Sequence, residues 1–244
     1  MAFLSLARII ELVERILSSL DHTFLKIDAS AAIDKLRDGA VLVAEKGLRG
    51  FVIPPQLVKT TANRFPEIRV ITVVGYPLGF ETLGEKVFAC QQAARDGARE
   101  VDVVLDLFAL VNGNLSKVRR ELELLSATAK HARVGLKVII ETPILTEQRI
   151  VQVSNLINDF DLLAAKSSTG YGREPTELEH IRLLRDTLRE DILVKASGGI
   201  RTLSDVRKFM EAGASIIGTS STPSILGELE RGGSSPHGGE AGAE

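Results

Sequence analysis

Apolar residues along this chain fall into two repeating patterns. Short runs rich in Val, Ile and Leu alternate with longer stretches whose apolar positions return every three or four residues. The short runs cover 20–25, 50–53, 69–75, 100–106, 136–141, 162–166, 192–195 and 215–218. Some are apolar on both faces, as in Val70-Ile71-Thr72-Val73-Val74 and Val138-Ile139-Ile140, which is how a parallel strand covered by helices reads. The helical stretches are 31–46, with Ile33, Leu36, Ala40, Val41 and Ala44 on one face, then 84–96, 115–131, 146–158, 176–189 and 203–211. Gly97 and Gly213 follow helical runs as left-handed C-terminal caps do. Thr146 with Glu147, and Thr202 with Asp205, read as helix starts.

Eight strands alternating with helices predict an α/β fold, a single (β/α)8 TIM barrel over 1–230. The rival is an open doubly wound sheet, but no GxGxxG stands between a strand and a helix to support it. Ahead of the first strand, Leu6, Ile9, Ile10, Val13 and Leu17 form one apolar stripe among Arg8, Glu11, Glu14 and Arg15. That pattern predicts an amphipathic helix, not a signal peptide, and its stripe must cover the barrel bottom or a partner subunit. The segment 231–244 is rich in Gly and Ser, buries little, and is expected to be disordered.

Composition narrows the function. A length of 244 residues, 44% hydrophobic and 25% charged, suits one globular domain. Thirty Lys and Arg against thirty-two Asp and Glu leave a net charge of −2, without the basic field of a nucleic-acid binder. No apolar run reaches the roughly 18 residues of a membrane span. The one cysteine, Cys90, has no internal partner, and the four histidines are scattered. A reducing, cytoplasmic setting and the absence of a metal or other cofactor are therefore expected. Cys90 sits in a helical run and reads as a small core residue.

Several strands carry an ionisable group among apolar neighbours. Asp102 lies in Val101-Asp102-Val103-Val104, Lys137 opens Lys137-Val138-Ile139-Ile140, and Lys166 and Lys195 end their strands. Strand residues alternate in direction, and the apolar neighbours suit the helix-facing side, so these charges point into the barrel. The last two stand at the C-terminal ends, where barrel enzymes place their chemistry. One strand-terminal lysine is most simply a surface ion pair. Three lysines and an aspartate converging on one interior must answer one another. Buried ammonium groups close together disfavour each other's charge, so one should titrate low. A neutral lysine attacks carbonyls and forms Schiff bases. These considerations do not say which lysine does so.

Ser197-Gly198-Gly199-Ile200-Arg201 follows the seventh strand and Gly218-Thr219-Ser220-Ser221 follows the eighth. Barrels often hold phosphate in those two loops. Glycines let backbone N–H groups approach an anion, and serines add donors. Arg201 could join this site or cap the next helix.

Read together, these segments resemble the deoxyribose-phosphate aldolase family of class I aldolases. The resemblance runs from Leu20 to Ser221. It includes Asp21-His22-Thr23-Phe24-Leu25-Lys26, Gly75-Tyr76-Pro77-Leu78-Gly79, Glu100-Val101-Asp102-Val103-Val104, Leu136-Lys137-Val138-Ile139-Ile140-Glu141-Thr142, Lys166-Ser167-Ser168-Thr169-Gly170, Val194-Lys195-Ala196-Ser197-Gly198-Gly199 and Gly218-Thr219-Ser220-Ser221. It implies reversible cleavage of 2-deoxy-D-ribose 5-phosphate to D-glyceraldehyde 3-phosphate and acetaldehyde. It makes Lys166 the Schiff-base lysine, Lys195 the neighbouring cation that lowers its pKa, and Asp102 a proton relay acting through a water. Lys137 would support this network, and Asp21 and Thr23 would lie beside the substrate. Gly170, Gly198, Gly199, Gly218, Ser220 and Ser221 would bind its phosphate. A homo-oligomer, dimer or tetramer, is implied as well.

The chain departs from the family pattern in places. Phe51-Val52 stands where Cys-Val is frequent, and the phenylalanine is expected to narrow the pocket. Leu163 replaces a common Asp, Ser167 a common Thr, and Tyr171 a basic residue. Asp106 is expected on the same strand face as Asp102. Some relatives end in a tyrosine that reaches the site; this chain ends Ala243-Glu244, so none is expected. His22 should face away from Asp21 in a structural role. Two other functions remain open from the residues: a different Schiff-base or phosphate-binding barrel enzyme, and a regulator that binds a phosphorylated metabolite without turning it over.

Overall fold

The structure, a computed structural model, describes residues 6–26 and 33–232. The described chain runs α1 (Leu6–Leu17), β1 (Leu20–Thr23), α2 (Ile33–Lys46), β2 (Gly50–Ile53), α3 (Val58–Arg64), β3 (Val70–Val74), α4 (Leu83–Arg95), β4 (Glu100–Val104) and α5 (Leu107–Val111). It continues with α6 (Leu115–Ala132), β5 (Gly135–Ile139), α7 (Glu147–Ile157), β6 (Ala164–Lys166), α8 (Leu178–Thr187), β7 (Leu193–Ser197), α9 (Leu203–Glu211), β8 (Ile216–Thr219) and α10 (Thr222–Glu230). All strand pairs are parallel, and β1 pairs with both β2 and β8, closing an eight-stranded TIM barrel.

The strands are buried on both faces, and the two faces bury different things. Outward-facing Val101, Val103, Leu136, Val138, Val194, Ala196 and Ile217 join the large apolar layer under the helices. Inside, Val52, Ile71 and Val73 form a separate small cluster on β2 and β3. Strand register carries the inward set onward: Ile71 pairs with Glu100, Val73 with Asp102, Asp102 with Lys137, and Lys166 with Lys195. The interior therefore has an apolar side and a charged side.

Helix boundaries follow local chemistry. Thr202 and Asp205 form a capping box at α9, and Thr146 Oγ1 accepts the Arg149 N–H at α7. Gly97 and Gly213 take φ of 100° and 109° just past α4 and α9. A capping box at Thr82 and Glu85 starts α4 and was not foreseen. Nor were the helices α3, α5 and α10, which are short or carry Pro223 in their first turn.

The strands are mostly shorter than the apolar runs suggest. β4 ends at Val104, so Asp106 leaves the sheet. It caps α5 by accepting the Ala109 N–H and pairs with Lys117 at 2.6 Å, not facing Asp102 as expected. Phe51 also departs from expectation. It is fully buried and stacks on His22, with its ring against Gly39 of α2, so it lies in the helix layer and does not narrow the cleft. In α1, Ile16 is buried, whereas Ile9 and Ile10 are about half exposed. Among the described residues no helix is long and apolar enough to cross a membrane. The expected disordered tail lies outside the described residues except for Arg231 and Gly232.

Candidate active site

The inward lysines of β5, β6 and β7 meet on one carboxylate of β4, Asp102. Asp102 Oδ1 accepts from Lys137 Nζ at 2.6 Å. Its Oδ2 accepts from both Lys195 Nζ at 2.8 Å and Lys166 Nζ at 3.0 Å. Lys195 also donates to Asp21 Oδ2 at 2.6 Å, and Lys137 Nζ lies 2.8 Å from Glu100 Oε2. Below them Arg49 Nη1 reaches Asp21 Oδ1, and its two terminal nitrogens clasp Glu100 at 2.8 and 3.0 Å.

Above this layer the C-terminal end of the barrel opens into a cleft of about 1260 Å³. Of the three lysines, Lys166 alone lines it; Lys137, Lys195 and Asp102 lie underneath. Gly170, Gly198, Gly199, Gly218, Ser220 and Ser221 all line the cleft, as do Thr23 and Arg201. Asp21 does not. It is fully buried between Lys195 and Arg49, directly under the cleft floor, where it holds Lys195 in place.

Burial lowers the Lys166 pKa to about 8; Asp102 opposes this, while Lys195 and Lys137 add to it. Desolvation is thus the larger cause, ahead of the neighbouring cation named from the sequence. Burial also disfavours charge on Lys195, but Asp102 and Asp21 outweigh it and raise its pKa. Burial would raise Asp102; Lys137, Lys195 and Lys166 together hold it well below the usual carboxylate range.

The loop after β6 is fastened to its neighbours. Ser167 Oγ bonds Thr176 Oγ1 at 3.0 Å and accepts the Ser197 N–H at 3.1 Å, and Thr176 Oγ1 donates to the Ser197 carbonyl at 2.6 Å. Tyr76 Oη donates to the Thr169 carbonyl at 3.0 Å. The Gly170 N–H is taken by Ser168 Oγ, at 2.9 Å. Gly198 has φ of 97°, and a Cβ there would lie 2.7 Å from Ser168 Oγ.

Glu141 was not singled out from the sequence. It leaves the end of β5 with φ of 53°, and its Oε2 accepts the Thr169 N–H at 2.7 Å. Arg49 and Glu100 were missed as well. Glu100 shares the strand parity of Asp102, a signal that could have found it; Arg49 precedes its strand and carries no periodic signal. His22 faces the helix layer, bonded through Nδ1 to Thr222 Oγ1 at 3.0 Å.

No family model matches the chain. A deoxyribose-phosphate aldolase of Caldicellulosiruptor saccharolyticus is 37% identical over 213 residues, 86% of this chain and 96% of that protein. The structure of an aldolase termed QR15 superposes with a TM-score of 0.82 at 32% identity, covering 88% of this chain and 96% of that one. The deoxyribose phosphate aldolase of Aeropyrum pernix, described as a unique tetramer, superposes with a TM-score of 0.77 at 27% identity, covering 93% and 99%. Fold and relatives together place the chain among the barrel aldolases. Within that class it belongs to the deoxyribose-phosphate aldolase family.

Proposed function

We propose that the chain reversibly cleaves 2-deoxy-D-ribose 5-phosphate to D-glyceraldehyde 3-phosphate and acetaldehyde through a Schiff base on Lys166. The observation that carries this reading is the position of one buried amine, with its pKa lowered to about 8, at the floor of an open cleft. A useful fraction of Lys166 is then neutral near pH 7.5 and can attack C1 of the open-chain sugar. Loss of water from the carbinolamine gives an iminium. With C1 as an electron sink, the C2–C3 bond breaks as the C3 hydroxyl loses its proton. Carbons 3 to 5 leave as glyceraldehyde 3-phosphate, and C1 and C2 remain as an enamine. Protonation at C2 and hydrolysis release acetaldehyde and regenerate the amine.

Asp102 is held anionic and touches Lys166 directly, so it orients the amine and serves as the accepting end of a proton relay through water. Lys195 stays charged beside the iminium and favours its collapse to the neutral enamine. Lys137 keeps Asp102 in place from the other side. Gly198, Gly199 and Gly218 bring the loops after β7 and β8 close to the sugar phosphate, with Ser220 and Ser221 supplying donors and Gly170 leaving room. Thr23 lines the sugar side of the same cleft. Self-association as a dimer or tetramer is consistent with the exposed Ile9 and Ile10 of α1, and the single buried cysteine suits a cytoplasmic setting.

The test is borohydride trapping with deoxyribose 5-phosphate, read by peptide mass spectrometry, beside a coupled assay for glyceraldehyde 3-phosphate. The adduct should sit on Lys166, and Lys166→Ala should lose both adduct and turnover. An unmodified Lys166, or turnover that survives its replacement, refutes the proposal.

A further inference from the structure

Six of the buried charged side chains form a closed circuit. It runs Asp21, Lys195, Asp102, Lys137, Glu100, Arg49 and back to Asp21, with every neighbouring pair opposite in sign and every contact between 2.6 and 2.8 Å. Three carboxylates meet three cations, so the circuit is neutral by itself. Lys166 hangs from it by its single ion pair to Asp102, 3.0 Å long. The two members farthest from the cleft are nearly as dry as the rest: the Arg49 side chain is 9% exposed and that of Glu100 7%. Arg69 also approaches Glu100, at 3.4 Å, but is 45% exposed and screened by solvent. The charged groups facing Lys166 are Asp102 from β4, Lys137 from β5 and Lys195 from β7.

We infer that Arg49 and Glu100 are positioning residues for the aldol reaction. They fix the charge of the circuit so that every other buried cation has a carboxylate to itself and Lys166 is the surplus one. The inference rests on the reading of Lys166 as the Schiff-base lysine. Its physical content is charge counting in a poorly screened interior. Adding a proton to Lys166 takes the cluster from neutral to +1, and removing that proton restores neutrality. Withdrawing the Arg49 charge leaves a cluster that is neutral only when Lys166 is protonated. Withdrawing the Glu100 charge leaves one that is already positive before Lys166 is counted. The two changes therefore push Lys166 in opposite directions, although both break the same Arg49–Glu100 contact.

The experiment is the pH dependence of kcat/KM for cleavage of deoxyribose 5-phosphate, whose acid limb reports the free-enzyme amine. Arg49→Gln should move that limb to higher pH by about one unit, the order a unit charge roughly 10 Å away exerts at an effective dielectric near 20. Glu100→Gln should move it to lower pH by a similar amount. The double variant removes one charge of each sign and should return the limb to within about half a unit of wild type. Arg49→Lys, which keeps the charge, should leave it in place. If either glutamine variant fails to fold, the charge-neutral double variant still should fold and keep the wild-type limb; a double variant that does not do so overturns the inference. Loss of rate without opposite shifts would show a merely structural role and overturn it as well. Trapping of wild-type protein at Lys166 separates the two failures. An untrapped Lys166 removes the aldolase reading, whereas a trapped Lys166 with unmoved profiles removes only the role of the circuit.

Discussion

Replacing Lys195 by Met keeps most of its volume and removes its charge. Lys166 and Lys195 share one oxygen of Asp102, at 3.0 and 2.8 Å, so their nitrogens are no more than about 6 Å apart. At roughly 5 Å and an effective dielectric near 20, two unit charges repel by about 3 kcal/mol, or about two pH units of the Lys166 pKa. Asp102 and Asp21 also lose a counter-charge, which acts in the same direction. Starting from about 8, the Lys166 pKa should rise to roughly 10. At pH 7.5 the neutral amine then falls from about a quarter of the molecules to well under one per cent, so kcat/KM should drop on the order of 100-fold. The assay is the initial rate of glyceraldehyde 3-phosphate release from pH 6.5 to 10, with circular dichroism at each pH to confirm folding, because breaking a buried ion pair costs about 3–5 kcal/mol. Most of the deficit should be regained by pH 10. An equal loss at every pH in folded protein would refute the account of Lys195 as the cation that tunes Lys166.

Two further outcomes follow from the same geometry. Gly198→Ala forces a side chain onto a φ of 97° and to within 2.7 Å of Ser168 Oγ, a strain of about 1–3 kcal/mol. It should raise KM for deoxyribose 5-phosphate roughly tenfold while leaving kcat/KM for unphosphorylated deoxyribose nearly unchanged; an equal effect on both substrates would place the phosphate elsewhere. Burial lowers the His22 pKa from 6.5 to about 4. Below pH 6.5 the unfolded chain takes up a proton that the folded chain does not, so stability declines by up to about 3 kcal/mol as pH falls toward 4. Urea midpoints at pH 7 and 4.5 should differ less in His22→Asn than in the parent; equal differences would show that His22 does not cause the decline.

The barrel was legible because its strands announce themselves twice, by apolar runs and by the charges those runs enclose. Asp102, Lys137, Lys166 and Lys195 each share a parity within their strands, and parity alone sends them inward. The same rule would have found Glu100. It failed for Asp106, because the strand stops two residues earlier and the carboxylate turns to cap a helix, a choice set by local N–H groups. The Phe51 expectation failed because it came from a motif comparison; parity alone, with position 51 alternating with the inward Val52, puts Phe51 on the helix side. Arg49 could not be read at all. It enters the interior from the turn below β2, where Gly50 leaves the space, and only the closed barrel brings Asp21 and Glu100 within its reach. The inward direction of Asp21 was legible in its strand, but its ion pairs to Lys195 and Arg49 depend on the closed barrel.

The circuit of buried charges also bears on how the chain assembles. Its members come from β1, the turn before β2, β4, β5 and β7, and the Asp21–Lys195 contact joins positions 174 residues apart. A partly built cylinder lacking β7 would leave Asp21 with Arg49 alone and Asp102 with Lys137 and Lys166 but without Lys195, and a carboxylate that loses a partner away from water is less stable. The ionic ring therefore works as a clasp that favours the closed barrel over an open one, and the Lys166 amine hangs from a complete ring only once β1 and β7 have been brought together.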